Sequence, residues 1–291
     1  MRAPPSYDDA VFDVAAAIPV YPVPTSLSPS RVEQFTSCPL AFRFASIEKL
    51  PEAPSIHTTR GSLVHRALEL AYSCPADERT AEQFHHALAT ARTQFAETPD
   101  FARLGLTDDE VDAFDSHCQR LVDTYLRMED PRIVHPIGLE LRLSAAVGPL
   151  ELRGIIDRLE LRDGELVVTD YKTGRAPSLN WEQRSLAGVH FYSFLCEQVF
   201  GRRPVAIRLL YLSSGETIEA VPSDQSTRFI TTRTTAVWKA VERACETGDF
   251  RPRPSALCDS CSFRQWCPSF GGDPKRAVAE ARVALAALAT A

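Results

Sequence analysis

One stretch decides the fold of this chain: Gly154-Ile-Ile-Asp157-Arg-Leu-Glu-Leu-Arg-Asp-Gly-Glu-Leu-Val-Val-Thr-Asp170-Tyr-Lys-Thr-Gly174. It holds two runs of alternating apolar residues around an Asp-Gly pair, which is a strong signal for a β-hairpin. Asp157, Asp170 and Lys172 can then meet where the two strands end. Carboxylates bind hard divalent cations, and a lysine stabilises negative charge that develops on a phosphate. The stretch therefore predicts a hairpin with a site for metal-dependent cleavage of a phosphodiester.

The composition is that of an ordinary globular protein. Of the 291 residues, 44% are hydrophobic and 24% are charged, and the length allows one large domain or two smaller ones. No apolar run approaches the roughly 20 residues of a membrane span, and the N-terminus lacks the form of a signal peptide. These features predict a cytoplasmic protein with no membrane partner.

The net charge of −6 argues mildly against a protein that coats nucleic acid. It does not exclude an enzyme with a local basic channel, since metal-binding carboxylates are themselves acidic. Six residues in the second half are candidates for a basic surface, although ordinary solvated charges explain them equally well: Arg202, Arg203, Arg228, Arg233, Lys239 and Arg243.

The chain divides into a leader, one domain and a C-terminal helix. Residues 1–27 are rich in proline and alanine and predict a flexible leader. Residues 28–270 predict a single domain, in which a helical part precedes an α/β core and a cysteine-rich clip. The predicted divisions are 28–135 for the mostly helical part, 136–247 for the α/β core, 248–270 for the clip and 271–291 for the C-terminal helix.

Capping signals and apolar periods predict the individual elements. Ser28 followed by Pro29 marks a helix start, and the segments that begin at Thr80 and Thr107 match the capping box. The further predicted helices cover Gly61–Tyr72, 81–97, 108–128, Trp181–Phe200 and 224–246. The predicted strands cover 137–146, 151–161, 165–171, 204–212 and 216–221.

Three motifs together resemble those of the RecB-like branch of the PD-(D/E)XK nucleases: Gly61-Ser-Leu-Val-His65, Gly154-Ile-Ile-Asp157 and Asp170-Tyr-Lys172. The resemblance covers residues 26–270 approximately. It implies an α/β fold in which helices flank a central mixed sheet, with a helical N-terminal part and a C-terminal cysteine clip.

The resemblance also implies a role for each motif residue. Asp157 and Asp170 match the direct metal ligands of the family, and Lys172 matches its catalytic lysine. His65 completes the metal site from the preceding helix, and the backbone carbonyl of Tyr171 is a further ligand. The implied ion is Mg²⁺ or Mn²⁺.

Glu140 matches a glutamate that is common in this branch, and we give it a supporting role. Taken alone, each site residue can also be explained by a purely structural role. Asp157 reads as a strand-end cap, the pair Asp170 and Lys172 as a surface ion pair, and His65 as a core or surface histidine. The occurrence of all of them in this order favours a nuclease site.

The chain departs from the family pattern at one position. The family carries a glutamine four residues before a tyrosine on the helix that follows the lysine strand. Here Tyr192 supplies the tyrosine, but the earlier position is Gly188, with Gln183 and His190 nearby. Since that glutamine orients phosphate or water, its loss is expected to impair catalysis more than metal binding.

A second signal is the spacing Cys258-x2-Cys261-x5-Cys267, with Cys38 far upstream. Thiolates suit zinc or an iron–sulfur cluster, and spacing does not separate the two. The four cysteines resemble the clip of AddB-type nucleases, which implies a [4Fe–4S] cluster, with structural zinc as the alternative. We expect a structural role, since the clip ties the start of the domain to its end.

The chain contains no phosphate-binding Gly-x4-Gly-Lys-Ser/Thr loop, so it is not itself an ATP-driven helicase. We predict a metal-dependent exonuclease that acts on single-stranded DNA or duplex ends in repair or recombination, with a separate helicase as a possible partner. The alternatives are an exonuclease of CRISPR adaptation and a DNA-binding scaffold whose nuclease core has decayed.

Overall fold

The computed structural model of the chain describes residues 20–177 and 179–289, and of residues 179–189 and 284–289 it describes the backbone alone. Within these residues the α-helices are α1 (Pro29–Ser37), α2 (Pro39–Phe42), α3 (Ile56–Tyr72), α4 (Ala81–Ala96), α5 (Pro99–Ala102), α6 (Asp108–Met128), α7 (Leu179–Phe200), α8 (Asp224–Thr247) and α9 (Ala277–Ala289). The strands are β1 (Ser26–Leu27), β2 (Pro136–Val147), β3 (Leu150–Arg162), β4 (Glu165–Lys172), β5 (Ala206–Tyr211) and β6 (Glu216–Ala220). No helix in the described ranges is both long and apolar enough to cross a membrane.

Polar side chains begin the helices as the sequence predicts. Ser28 accepts a hydrogen bond from the Arg31 amide ahead of Pro29. Thr107 and Glu110 form the reciprocal capping box of α6. The predicted helix at Gly61 instead starts earlier, at Ile56, because Ser55 provides a cap at that point.

The strands form one mixed sheet around β3. Its order is β1-β3-β4-β5-β6, and β2 pairs with the other edge of β3 along most of its length. The pairs β1/β3 and β4/β5 are parallel, and the other pairs are antiparallel. This arrangement confirms the predicted fold class of a central mixed sheet flanked by helices.

The hairpin predicted around Asp163 and Gly164 is present. Arg162 pairs with Glu165, so Asp163 and Gly164 form a two-residue turn. Both turn residues have left-handed backbones, with φ of 51° and 81°. Two successive left-handed residues are the geometry of a type I′ turn, which matches the twist of the strands it joins.

Helices cover both faces of the sheet, and β5 shows the division most plainly. Leu209 and Tyr211 pack with α1, α7 and α8 on one face. Leu210 and Leu212 pack with α3, α4 and α6 on the other. The side chains alternate because successive residues of a strand point to opposite faces.

The predicted leader of residues 1–27 is wrong at its C-terminal end. Ser26 and Leu27 form β1, which pairs with Glu151 and Leu152 of β3. Leu27 is fully buried, and the Tyr21 amide donates a hydrogen bond to the carbonyl of Cys245. An open edge of β3 and an apolar pocket therefore order this segment, whereas residues 1–19 lie outside the described residues.

The side chain of Arg158 on β3 is fully buried, with 0% exposure. Its guanidinium donates hydrogen bonds to the side chains of Glu129, Glu160, Tyr72, Tyr125, Tyr171 and Thr169. Arg208 reaches the other side of Glu129, and Arg162 reaches Glu160. A buried charge is tolerated only when it is paired and hydrogen-bonded in this way. We call this set the Arg158 network.

We predict that Arg158→Met lowers the free energy of unfolding by about 3 kcal/mol, at the low end for a broken buried ion pair because both glutamates keep a second arginine. Urea denaturation followed by circular dichroism measures the change. The matched control is Arg132→Ala, whose exposed ion pair with Asp130 should be lost with little effect. Similar small losses for both variants would contradict the structural role of the network.

Candidate active site

The site lies where β3 and β4 separate. Their pairing ends at Arg158 and Thr169, beyond which β4 continues beside β5 as far as Lys172. At the separation the Tyr171 amide donates a 2.7 Å hydrogen bond to Oδ2 of Asp157. A carboxylate thus takes the place of a backbone acceptor, and both strands lead polar groups into the opening.

His65 reaches this opening from α3. Its Nε2–H donates to the Tyr171 carbonyl oxygen at 3.0 Å, and its Nδ1 lies 3.4 Å from Oδ1 of Asp157. One turn earlier on the helix, a Cβ atom at Gly61 would lie 3.3 Å from Oγ1 of Thr173. The glycine of the Gly61–His65 motif therefore lets α3 approach the end of β4 closely enough for the histidine to enter.

Glu140 on β2 faces Asp157 across the strand pair and has a left-handed backbone, with φ of 44°. A residue with a side chain adopts this conformation in a strand only when its surroundings enforce it, and such strain clusters at functional sites. Oε1 of Glu140 lies 3.8 Å from Nδ1 of His65. The candidate metal-ligand atoms of His65, Glu140 and Asp157 all lie within 4.8 Å of one another.

Asp170 occupies the other side of the opening, next to this group. Its Oδ2 lies 2.6 Å from Nζ of Lys172, and its Oδ1 accepts a 3.3 Å hydrogen bond from the Tyr192 hydroxyl. Burial and the nearby charge of Asp157 raise the pKa of Asp170, while Lys172 acts in the opposite direction. The pair Asp157 and Asp170 therefore concentrates negative charge that requires cations nearby.

The glycine of the Gly154–Asp157 motif brings α7 to this point. A Cβ atom at Gly154 would lie 2.8 Å from Cδ1 of Leu195 and 3.4 Å from Cε1 of Tyr192. The absence of a side chain lets α7 pack directly on β3 and carries the Tyr192 hydroxyl to Asp170. The contact of Tyr192 with Asp170 was not predicted from sequence, although the tyrosine itself was singled out.

The electrostatics of His65 fit a cation at this position. Burial disfavours its charged form, but the nearby carboxylates of Asp157 and Glu140 prevail and raise the pKa of His65 to about 10. Carboxylates that stabilise an imidazolium also stabilise a divalent ion, which competes with the proton for the same ligands. The donors present, one imidazole with carboxylates and a carbonyl, therefore fit a divalent metal ion.

The expected glutamine position falls outside the described side chains, as do Gly188 and Gln183. His190, on the same helix, is described, but it does not line the solvent-accessible cleft that opens from the site. Of the candidates for a basic surface, Arg233 lines that cleft. Arg202 and Arg203 instead form ion pairs with acidic residues on the protein surface.

The four cysteines of the predicted clip lie close enough together for their charges to affect one another. Burial raises the pKa of Cys261, and the charges of Cys38, Cys258 and Cys267 raise it further. All four thiols are partly exposed and free of disulfides. Over the described part of the chain, no three cysteine sulfur atoms lie within 4.8 Å of one another.

A cleft of about 1600 Å³ opens from the site. His65, Glu140, Asp157, Asp170 and Lys172 all line it. The sequence motifs therefore converge on one solvent-accessible cavity, which is large enough for a polymeric substrate to enter.

Comparison with known proteins agrees with this geometry. The sequence model of the PD-(D/E)XK nuclease superfamily matches residues 26–268, which include both strands of the hairpin and α3. The chain belongs to the PD-(D/E)XK nuclease superfamily. Nucleases of this superfamily use divalent metal ions, and the His65, Glu140 and Asp157 group is a candidate site for one.

Two relatives of this PD-(D/E)XK nuclease come from mycobacterial phages. The Gene 69 protein of Mycobacterium phage L5 is 24% identical, and the match covers 84% of this chain and 96% of the relative. The Gene 69 protein of Mycobacterium phage D29 is also 24% identical, with the same coverage of both chains. A solved structure of a candidate exonuclease from Eubacterium rectale superimposes with a TM-score of 0.53 at 11% identity, over 81% of this chain and 87% of that one. That likeness shows a shared fold.

We predict that Gly154→Ala lowers the free energy of unfolding by about 1–3 kcal/mol, because the added methyl group overpacks the contact between α7 and β3. Chemical denaturation measures the loss. The control is Gly174→Ala, at which a Cβ atom would meet nothing within 4 Å. Leu195→Val should be less harmful in the Gly154→Ala protein than in the wild type, and additive effects of the two changes would contradict the proposed contact.

Proposed function

We propose that the chain is a metal-dependent deoxyribonuclease of the RecB-like branch, an exonuclease that hydrolyses single-stranded DNA or duplex ends in repair or recombination. One observation supports this most. The His65, Glu140 and Asp157 group and the Asp170–Lys172 pair lie together at the point where β3 and β4 separate. Carboxylates beside a lysine in an open cleft suit the cleavage of a phosphodiester.

In this proposal the ion is held by His65, Asp157, Asp170 and the Tyr171 carbonyl. Glu140 lies close enough to add its carboxylate to these ligands. The oxygen donors suit Mg²⁺ or Mn²⁺. When bound, such an ion lowers the pKa of a water molecule and offsets negative charge on the phosphate that is attacked.

Lys172 supplies a fixed positive charge next to the ion. Burial lowers its pKa, but the carboxylate of Asp170 outweighs burial, so the pKa of Lys172 is raised and the ammonium stays charged. Its side chain is 44% exposed toward the cleft, where it can reach a phosphate oxygen. The Tyr192 hydroxyl donates a hydrogen bond to Oδ1 of Asp170, the oxygen that does not contact Lys172. This bond orients the carboxylate that in turn orients Lys172.

The decisive test is hydrolysis of 5′- and 3′-labelled single strands and duplexes, with Mg²⁺ or Mn²⁺ and with EDTA. We expect metal-dependent shortening from an end, and we expect Lys172→Ala to lower the rate by roughly a thousandfold through the loss of fixed charge. Asp157→Ala should behave in the same way, whereas Lys239→Ala on the surface of α8 should not.

Undiminished cleavage by purified Lys172→Ala protein would exclude this active site. If the wild type binds DNA without cleaving it, the alternative of a DNA-binding scaffold with a decayed nuclease core is favoured. Gly188, in place of the expected glutamine, is the feature that supports this alternative. The two enzymatic readings, repair and CRISPR adaptation, share this chemistry and differ in the DNA that they receive. A separate helicase remains part of the proposal because the chain has no phosphate-binding loop of its own.

We further propose that Cys38, Cys258, Cys261 and Cys267 hold a [4Fe–4S] cluster that closes residues 248–270 onto the start of the domain. The preference for the cluster over zinc follows the resemblance of these four cysteines to the clip of AddB-type nucleases, since thiolates suit both. Amide groups already point at the sulfur atoms, since the Ser255 N–H donates to Sγ of Cys258.

Purification without oxygen should give a brown protein with about four iron and four sulfide ions per chain. Cys261→Ser should lose the iron and part of the stability, because the clip would then no longer tie the two ends of the domain together. Cys74→Ser is the matched control, since this thiol lies at the end of α3, away from the other four, and donates to Ala71. A colourless protein with one bound zinc ion would overturn the cluster.

A further inference from the structure

Three arginines that no function has yet explained line the same cleft as the candidate metal site. They are Arg31 at the start of α1, Arg142 on β2 and Arg233 on α8. We propose that these three residues, the cleft arginines, bind the sugar–phosphate backbone of a single nucleic acid strand beside the bond to be cleaved. The inference rests on the proposed function, for which it names the path of the substrate.

The register of the sheet sets the first of them close to the site. Glu140 and Arg142 both line the cleft and lie two residues apart on β2, a separation of about 6.7 Å along a strand. Arg142 stands opposite Ile155 of β3, which is 43% exposed, and Ser144 stands opposite Arg153. A track of cationic, hydroxyl and apolar groups thus leads away from Glu140 and Asp157, as a strand with phosphates and sugars requires.

In the described part of the chain the cleft arginines have no acidic partner, whereas fourteen other arginines there form ion pairs. Among the described residues, none of the three has a carboxylate within 4.0 Å, and the contact of Arg31 is a 3.5 Å hydrogen bond to the Ser26 carbonyl. Ion pairs instead engage Arg43, Arg66, Arg92, Arg103, Arg132, Arg153, Arg158, Arg162, Arg202, Arg203, Arg208, Arg251, Arg264 and Arg276. Cations left unpaired in a cleft raise the local concentration of anions.

The acidic residues of the cleft do not cancel this charge. Asp170 is paired with Lys172, and Glu151 is paired with Arg153. Glu140 and Asp157 lie beside the His65 imidazole in the candidate metal group. Glu33 is then the acidic residue of the described lining that has neither an ion pair nor a place in the metal group.

The arrangement fits a polyanion better than a single small anion. The arginines come from three elements around a cleft of about 1600 Å³, so they meet successive phosphates more readily than one phosphate. Arginine suits this task because its planar guanidinium binds phosphate oxygens in pairs.

The test separates binding from cleavage by omitting divalent ions. Binding of a fluorescein-labelled oligothymidylate is measured by polarisation in EDTA over a series of KCl concentrations. Each arginine-to-alanine substitution should raise Kd roughly tenfold, as for a lost charge-assisted contact. Each should also lower the slope of log Kd against log salt by about 0.7, and the triple variant by about 2.

The matched control is Arg120→Ala, an exposed arginine on α6 that has no ion pair in the described part of the chain and does not line the cleft. It should leave both Kd and slope unchanged. Arg142→Lys should retain the slope because it retains the charge, which a purely structural role of the side chain would not produce. Circular dichroism verifies that each variant is folded.

An unchanged salt slope in the folded triple variant would overturn the inference, even if the wild type cleaves DNA. Equal losses for Arg120→Ala and Arg142→Ala would overturn it as well, since binding would then follow total charge. Failure of the proposed function has a different result, namely a wild type that binds through these arginines and cleaves nothing when Mg²⁺ or Mn²⁺ is added.

Discussion

A single buried guanidinium joins the layers of this protein. Arg158 of β3 bonds to Tyr72 of α3, to Tyr125 and Glu129 at the end of α6 and to Tyr171 of β4. Holding Arg158 and Tyr171 in place also positions the residues beside them along β3 and β4. Those neighbours are Asp157, Asp170 and Lys172. The geometry of the candidate site therefore depends on the Arg158 network behind it.

The network also offsets a cost that the site imposes. Asp157 and Asp170 are buried near each other, Glu140 has a left-handed backbone, and each feature is unfavourable for folding. Without a bound ion, the charges of His65 and Lys172 compensate the carboxylates only in part. The hydrogen-bonded layer beneath the opening ties β3 to β4 next to these residues, through the bonds of Arg158 to Tyr171 and Thr169.

What the sequence predicts well is local. The hairpin at Asp163 and Gly164, the helix caps and the alternation of the strands each depend on neighbours within a few residues, and the structure confirms them. The Arg158 network joins residues that are far apart in the sequence, such as Arg158 and Tyr72, which are 86 positions apart. No sequence period or local motif therefore predicts it. The order in residues 20–27 was missed for the same reason, since an edge of β3 far along the chain creates it. Glycine 154 was part of a recognised motif, but the reason for it, the approach of Leu195, appears only in three dimensions.

The charge of the whole chain predicts its partner poorly, and the distribution of ion pairs explains why. A net charge of −6 spread over the surface acts on a nearby polyanion only within a Debye length of about 8 Å at physiological ionic strength. Thirteen of the described arginines outside the cleft are paired with an acidic neighbour. A strand at the cleft therefore meets Arg31, Arg142 and Arg233 before it meets the average charge of the protein. Local pairing, more than total charge, decides whether an acidic nuclease can hold an acidic substrate.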